Sequence, residues 1–460
     1  KDCIVGAFLL DLCATEPPKM PVSVSVIVET SWGLPEVIAA VQKQVRTFHG
    51  PCQLLGRDLE LTRTSVLISV IVETSWRLPE VLAAVQKQVR VFHGTCQLLG
   101  GDYLADIGVN DGSQLTLVLP PNRRLVTASR DGTAKLWDTA SWYTASSVCL
   151  STLEDHQDIV WSAAFSPDGK QVVTASRSAK LWDTASGECL HKLEGHGYSV
   201  FSAAFSPDGK KVVTASMDKT AKLWDVVSGE CLHTLQGHRG EVTSGVFSPD
   251  GSLVLTASTD KIAKIWCASS GKCIQTLTGH RWGVISAVFS PDSTLALTAS
   301  EDRTAKIWRV ESGECLQTLR AQGPKVLSAV FSPDGTRALT TSLNPVAQIW
   351  HVESGKCLHT LRGHQNSVHS AAFSPDGMQV ITASHDKHAK IWSSETGECL
   401  HTLIGHSDVV RSAVFSPEGR LALTASDDHT AKVWSVETGE CLHALEGHSG
   451  ALRSAAFLAH

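Results

Sequence analysis

Cysteine and histidine stand one residue apart five times, at Cys189/His191, Cys231/His233, Cys357/His359, Cys399/His401 and Cys441/His443. A thiolate and an imidazole are zinc-ligating groups, but a structural zinc needs four ligands converging on one point. These pairs fall once per repeat and on separate strands, so their spacing argues for packing, and no metal is expected. Histidine and aspartate also recur together, as His196 with Asp218 or His238 with Asp260. Such pairs do acid–base work when they face a nucleophile. No G-x-S-x-G, P-loop or H-E-x-x-H run accompanies them. Paired carboxylates are missing too, and neither an enzyme, a cofactor nor a small-molecule substrate is expected.

The elements that carry these residues follow from tryptophan. Trp137, Trp182, Trp224, Trp266, Trp308, Trp350, Trp392 and Trp434 are separated first by 45 residues and then by 42 each time. Each sits in the same text: G-H, F-S-P-D-G, T-A-S-x-D, A-K-x-W. A period of about 40–45 residues with these signatures predicts four strands per repeat in a closed ring of blades. In the last full repeat, Val410–Phe415 is the inner strand and Ser416-Pro-Glu-Gly419 a turn in which Pro presets φ and Gly takes a positive one. Leu421–Ser426, Ala431–Trp434 and Cys441–Leu445 then follow as the second, third and outer strands. Eight of the thirteen cysteines occupy one position per repeat, too far apart to bridge. They are expected to be small buried hydrophobes in a reducing compartment, cytosol or nucleus.

On these residues the chain resembles the WD40-repeat proteins over about three quarters of its length. The literal Trp-Asp pair stands only at Trp137, Trp182 and Trp224. The resemblance implies an all-β, eight-bladed propeller. It also implies a buried relay in each blade, from the Trp ring N–H to a strand Thr, to the G-H histidine and to a turn Asp. Full sets are His196/Thr214/Asp218/Trp224, His238/Thr256/Asp260/Trp266, His280/Thr298/Asp302/Trp308, His364/Thr382/Asp386/Trp392 and His406/Thr424/Asp428/Trp434. Before Trp350 the histidine and aspartate are both replaced, by Gln322 and Asn344. Before Trp182 the turn is shorter and lacks its Asp, so His156 is expected to use Asp155 or a serine. The eighth blade is split. His448 should meet Asp131 beside Trp137, and the strand 451–457 should pair with Leu125–Ser129, because closure removes an exposed sheet edge.

Ahead of the ring, residues 122–460, the chain reads differently. Residues 1–20 form a leader, taken as a truncated or mis-started beginning rather than a signal peptide. Residues 21–64 and 65–121 share a near-verbatim duplication, Ser25–Val37 against Ser69–Val81. Each copy predicts a strand followed by an amphipathic helix with Pro in its first turn. Only the second copy continues, past Cys96-Gln-Leu-Leu, through Tyr103-Leu-Ala-Asp-Ile to Leu115-Thr-Leu-Val-Leu. It resembles a small α+β ubiquitin-like (β-grasp) module. Its last strand runs into the Pro120-Pro121-Asn122 linker, which leaves a docking role rather than conjugation. The 40 Lys and Arg against 46 Asp and Glu form no long basic run, so nucleic acid is not an expected partner. No apolar run reaches the ~20 residues of a membrane span, so a membrane is not expected either.

The repeats differ in the residue just before the inner-strand Ser: Trp161, Phe201, Thr243, Ile285, Leu327, His369, Arg411 and Arg453. Five mostly apolar positions are followed by three basic ones, with Trp282, Met217 and Leu343 in turns beside them. Trp and Arg dominate interface energies. The expected function is a non-catalytic scaffold that binds proteins or peptides on this top face. The alternative is a substrate receptor of the ubiquitin system, against which stands the absence of Arg in a W-D-x-R slot.

Overall fold

The computed structural model describes residues 23–26, 67–71, 90–93, 96–97, 114–118, 124–138 and 148–458. The helices expected in the two N-terminal copies lie outside the described residues. The strands there form one five-stranded sheet. Leu67–Ile71 runs antiparallel to Gln114–Val118 and parallel to Ser23–Val26 on its other side. Gln114–Val118 also pairs with Arg90–His93, which turns back into Cys96–Gln97. Arg90–His93 is a strand that the sequence reading did not predict.

From Arg124 onward the described chain forms eight four-stranded antiparallel sheets, each ordered from an inner strand to an outer one. Alternating β-branched and small residues set the pleat, and the turns set the register. In the turn after Phe205, Ser206 Oγ donates to Asp208, Lys211 N donates back to Ser206 Oγ, and Gly209 takes φ 71°. The same construction recurs around the ring. The second strands are buried along nearly their whole length, for example Lys211–Ser216 and Leu253–Ser258.

The core lies between blades. Trp308 and Phe289 of one blade pack on Leu255, Ile265 and Leu277 of the blade before it. Trp434 and Phe415 likewise pack on Ile381, Ile391 and Leu403. Deleting a buried aromatic of this kind costs about 3–5 kcal/mol. Every blade therefore completes its predecessor's core, and a ring has no blade without a neighbour.

Closure occurs in the split blade. Leu452 pairs with Ser129 and Phe457 with Leu125, so the C-terminal strand is the innermost strand of the sheet that Arg124–Ser129 begins.

Two register shifts recur. In seven blades the inner strand carries a β-bulge: Val200 faces Ser216 and Ser202 faces Ala215, which leaves Phe201 unpaired. The residues so extruded are Phe201, Thr243, Ile285, Leu327, His369, Arg411 and Arg453. A second bulge separates the third and outer strands, as where Trp224 faces Cys231 and Leu223 faces His233. It turns Leu190, Leu232, Ile274, Leu400 and their equivalents outward.

The outer-strand cysteines correct the expectation of burial. Seven of the eight are exposed and Cys189 is half-buried. The bulge beside them on the rim strand directs their side chains to solvent, where each thiol donates weakly to a carbonyl, as Cys231 does to His233 O at 3.6 Å.

Removing residues 447–460 would uncover Leu125–Ser129 and the faces of two neighbouring blades. The shortened chain is expected to aggregate or melt without cooperativity, measured by thermal unfolding and size-exclusion chromatography. A cooperative melt at the parent temperature would contradict closure by this strand.

Candidate functional site

The histidines and aspartates that could do chemistry are aimed at tryptophan. In the Trp224 blade, Trp224 Nε1 donates to Thr214 Oγ1 at 2.8 Å, and Thr214 Oγ1 lies 2.8 Å from His196 Nε2. His196 Nδ1 lies 2.7 Å from Asp218 Oδ2. Only one proton arrangement satisfies every atom. Thr donates to an unprotonated Nε2, and Nδ1–H donates to the carboxylate. Asp218 also accepts from Gly197 N, Thr220 N and Thr220 Oγ1, so it has no capacity left for a substrate.

The same geometry joins Trp266, Thr256, His238 and Asp260, and Trp308, Thr298, His280 and Asp302. It recurs at Trp392, Thr382, His364 and Asp386, and at Trp434, Thr424, His406 and Asp428. In the closing blade the chain ends meet. Trp137 donates to Thr127, Thr127 lies 2.8 Å from His448 Nε2, and His448 Nδ1 lies 2.9 Å from Asp131. Against its burial, Thr133 and His448 hold the Asp131 carboxyl at about 2. Burial lowers the pKa of His196, His238, His280 and His448, which keeps these rings in the neutral form the relay requires. Among the described residues no three His, Cys, Asp or Glu come together as a metal would need.

The two aberrant blades draw in residues the sequence reading passed over. His156 Nε2 lies 2.6 Å from Thr174, which also accepts from Trp182. Asp155 is not its partner, and among the described residues no carboxylate or serine is. The Asp155 carboxylate turns instead to Lys180 at 2.6 Å and Lys192 at 2.8 Å, and Lys180 also donates to the Asp155 carbonyl. Lys180 is buried over Trp182 because the shortened turn leaves room where the Asp would stand. Before Trp350 it is Gln348, in the lysine slot of A-K-x-W, that accepts from Gln322 N at 2.7 Å and donates to Cys357 Sγ at 3.3 Å. Trp350 keeps its bond to Thr340.

The eight candidate rim residues are all half-buried. Phe201 meets Trp161 edge-to-face with centroids 5.7 Å apart, and the Arg453 guanidinium lies 5.1 Å above the Trp161 ring. Arg411 Nε lies 3.0 Å from both Asp427 oxygens, its Nη2 also bonds Asp427, and its Nη1 lies 3.3 Å from His369 Nε2. His369 stacks on His385 at 4.1 Å. Burial, His385 and Arg411 push the His369 pKa down to about 4. The basic arc of three is therefore narrower than its sequence: His369 is uncharged at neutral pH and Arg411 is paired, which leaves Arg453. Thr243 is drawn inward, donating to the Ala257 and Val284 carbonyls. Ile285 and Leu327 lie across the ring. Met217 and Leu343 are half-buried, whereas Trp282 is 62% exposed.

Tyr198, 64% exposed, was missed. It occupies the slot of Trp282, two residues after the G-H histidine. His385, Asp427 and Arg130 were missed as well, although the x of T-A-S-x-D marks them and varies from blade to blade.

A closed ring of eight blades, with a tryptophan relay in most of them and a variable rim, defines a β-propeller repeat protein. The WD domain, G-beta repeat family model matches residues 110–138, 147–183, 187–225, 229–267, 271–309, 313–351, 355–393 and 397–435. The chain belongs to that family. The first match takes in Gln114–Val118, which the structure pairs with Leu67–Ile71, while Leu452–Phe457 fills the inner place of the closing blade. Similarity also extends to the mouse (Mus musculus) F-box-like/WD repeat-containing protein TBL1X, 49% identical over 49 residues. That match covers 11% of this chain and 8% of the mouse protein.

Two outcomes follow from the relay. Thr256→Val strands both the Trp266 N–H and a histidine nitrogen and should cost about 2–5 kcal/mol, against about 1–3 kcal/mol for Thr340→Val, which strands an indole alone. Denaturant midpoints of the two variants check the order. His156, shifted by burial and then by Lys180 from 6.5 to about 4, contributes stability that is complete above pH 6.5 and lost as pH falls toward 4. The loss amounts to about 3 kcal/mol. Midpoints should fall between pH 6.5 and 4.5, and less so in His156→Gln. An equal slope in that variant would sink the assignment.

Proposed function

We propose that this protein is a non-catalytic scaffold whose ring takes peptide segments of partner proteins across its top face. WD40 propellers typically serve as protein-interaction scaffolds, and the fold is generally non-catalytic. The observation that carries the reading to a place is the inner-strand bulge. In seven of the eight blades it removes one residue from the ladder and aims it at the rim, which is how bulges commonly serve sites. Where seven blades share one extruded position, its variation from Phe to Arg is surface chemistry rather than core chemistry. The Phe201–Trp161–Arg453 run is continuous across three blades. Trp282 and Tyr198 supply exposed aromatic area of the kind that binding surfaces concentrate.

The relay supports the same reading from the other side. Burial favours the neutral form of His196, His238, His280 and His448, the hydroxyls are engaged at both ends, and Asp218, Asp302, Asp428 and Asp131 each accept four bonds, so the relay holds the blade rather than a reacting group. The N-terminal segment enters as a ubiquitin-like docking module. That part rests on the sequence resemblance of residues 65–121.

Trp161→Ala combined with Phe201→Ala is expected to abolish partner capture by the full chain while moving the melting temperature by only a few degrees. Capture by the double variant at parental levels would place the groove elsewhere.

A further inference from the structure

Arg453 differs from every other charged group on the rim. Its Nε is buried with no hydrogen-bond partner. Its two terminal nitrogens keep solvent access and make no hydrogen bond among the described residues. The guanidinium plane is fixed by the Trp161 ring beneath it, 5.1 Å away. A cation that is stacked, half-buried and without a bonded counter-ion is costly in the free protein. Burial and the nearby Arg130 and Arg411 lower its pKa, in keeping with that cost.

Among the described residues the carboxylate that acts on this group is Asp427, and it is occupied by Arg411 through Nε and Nη2. His369 and His385, on the far side of Arg411, lie against its Nη1. The half-buried set of Arg411, Arg453 and Asp427 thus carries one unmatched positive charge. Arg130 is exposed, so solvent and salt screen it.

We infer that the mouth of the ring between the Trp434, Trp137 and Trp182 blades is a subsite for one carboxylate of an acidic peptide. The peptide places an Asp or Glu on Arg453 and an apolar neighbour against Trp161 and Phe201. A planar guanidinium with its terminal edge free suits a carboxylate in the bidentate manner. The charge balance selects a carboxylate over a phosphate, since a dianion would meet Asp427 with one guanidinium to spare. The inference rests on the peptide-scaffold reading and names what that groove takes.

Randomised peptides displayed on phage and selected against the full chain test it. Enriched peptides should carry Asp or Glu next to an aromatic or aliphatic residue. Once resynthesised, they should lose about ten- to a hundredfold in affinity with Glu→Gln in the peptide or Arg453→Gln in the protein. Arg309→Gln, on an exposed arginine away from the rim, should change nothing, and Arg453→Lys should recover part of the loss. If Arg453→Gln does not fold, the Glu→Gln peptide on the parent chain gives the same reading. Peptides that need Trp161 and Phe201 but ignore the carboxylate would overturn the subsite and leave the groove standing. Peptides indifferent to both, or no enrichment at all, would overturn the groove and the subsite together. Tighter binding when phosphoserine replaces the acid would overturn the choice of carboxylate.

Discussion

A buried indole N–H must be bonded, and the arrangement of each blade follows from how that is done. Tryptophan supplies the apolar area that fastens one blade to the next, and its one polar atom would make that burial unfavourable if left alone. The threonine that accepts from it has a proton to place, the histidine that takes this proton has a second nitrogen, and the aspartate that receives that N–H ends the chain in a turn rich in backbone donors. Second strand, third strand and the two top turns are thereby fixed to one another through side chains. Where a link is missing the relay stops short, at His156 in one blade and at Thr340 in another, and a different polar group occupies the space. Lys180 moves in with Asp155 in one blade, and Gln348 folds under the Gln322 turn in another.

The bulges separate the frame from what it displays. A flat ladder alternates its side chains between two buried faces, and every residue would be committed to packing. One extra residue in each of seven inner strands releases a position from that commitment, and the chain has filled it with six residue types while the neighbouring Ser, Ala, Val and Phe barely change. The sequence of the rim is thus free to vary without disturbing the relay a few ångströms away.

Much of this is legible in the chain because the repeat states each feature eight times. The tryptophan period, the F-S-P-D-G turn and the paired G-H and Asp positions carry the ring and its closure. Three things are not legible there. Cysteine reads as a buried residue by type, yet its place beside the outer bulge exposes it, and a bulge leaves no mark in a single strand. The charge of the rim depends on contacts between blades: His369 reads as basic until His385 and Arg411 lie against it, and Arg411 reads as a free cation until Asp427 is seen. The roles of Lys180 and Gln348 are hidden because the second position of A-K-x-W reads only as strand text.

The closing blade makes the first strand of the ring wait for the last. Thr127 and His448 are 321 residues apart, whereas the corresponding pair in other blades is 18 apart. Seven blades can therefore form from neighbours in sequence as the chain leaves the ribosome, while Arg124–Ser129 stands with one edge unfilled. Chain order sets that delay, and non-local pairing is the slow step in forming such folds. During it, Gln114–Val118, which shares the repeat's family match, is the nearest strand in sequence to that vacancy. The structure pairs it with Leu67–Ile71 instead, and the inner place goes to Leu452–Phe457.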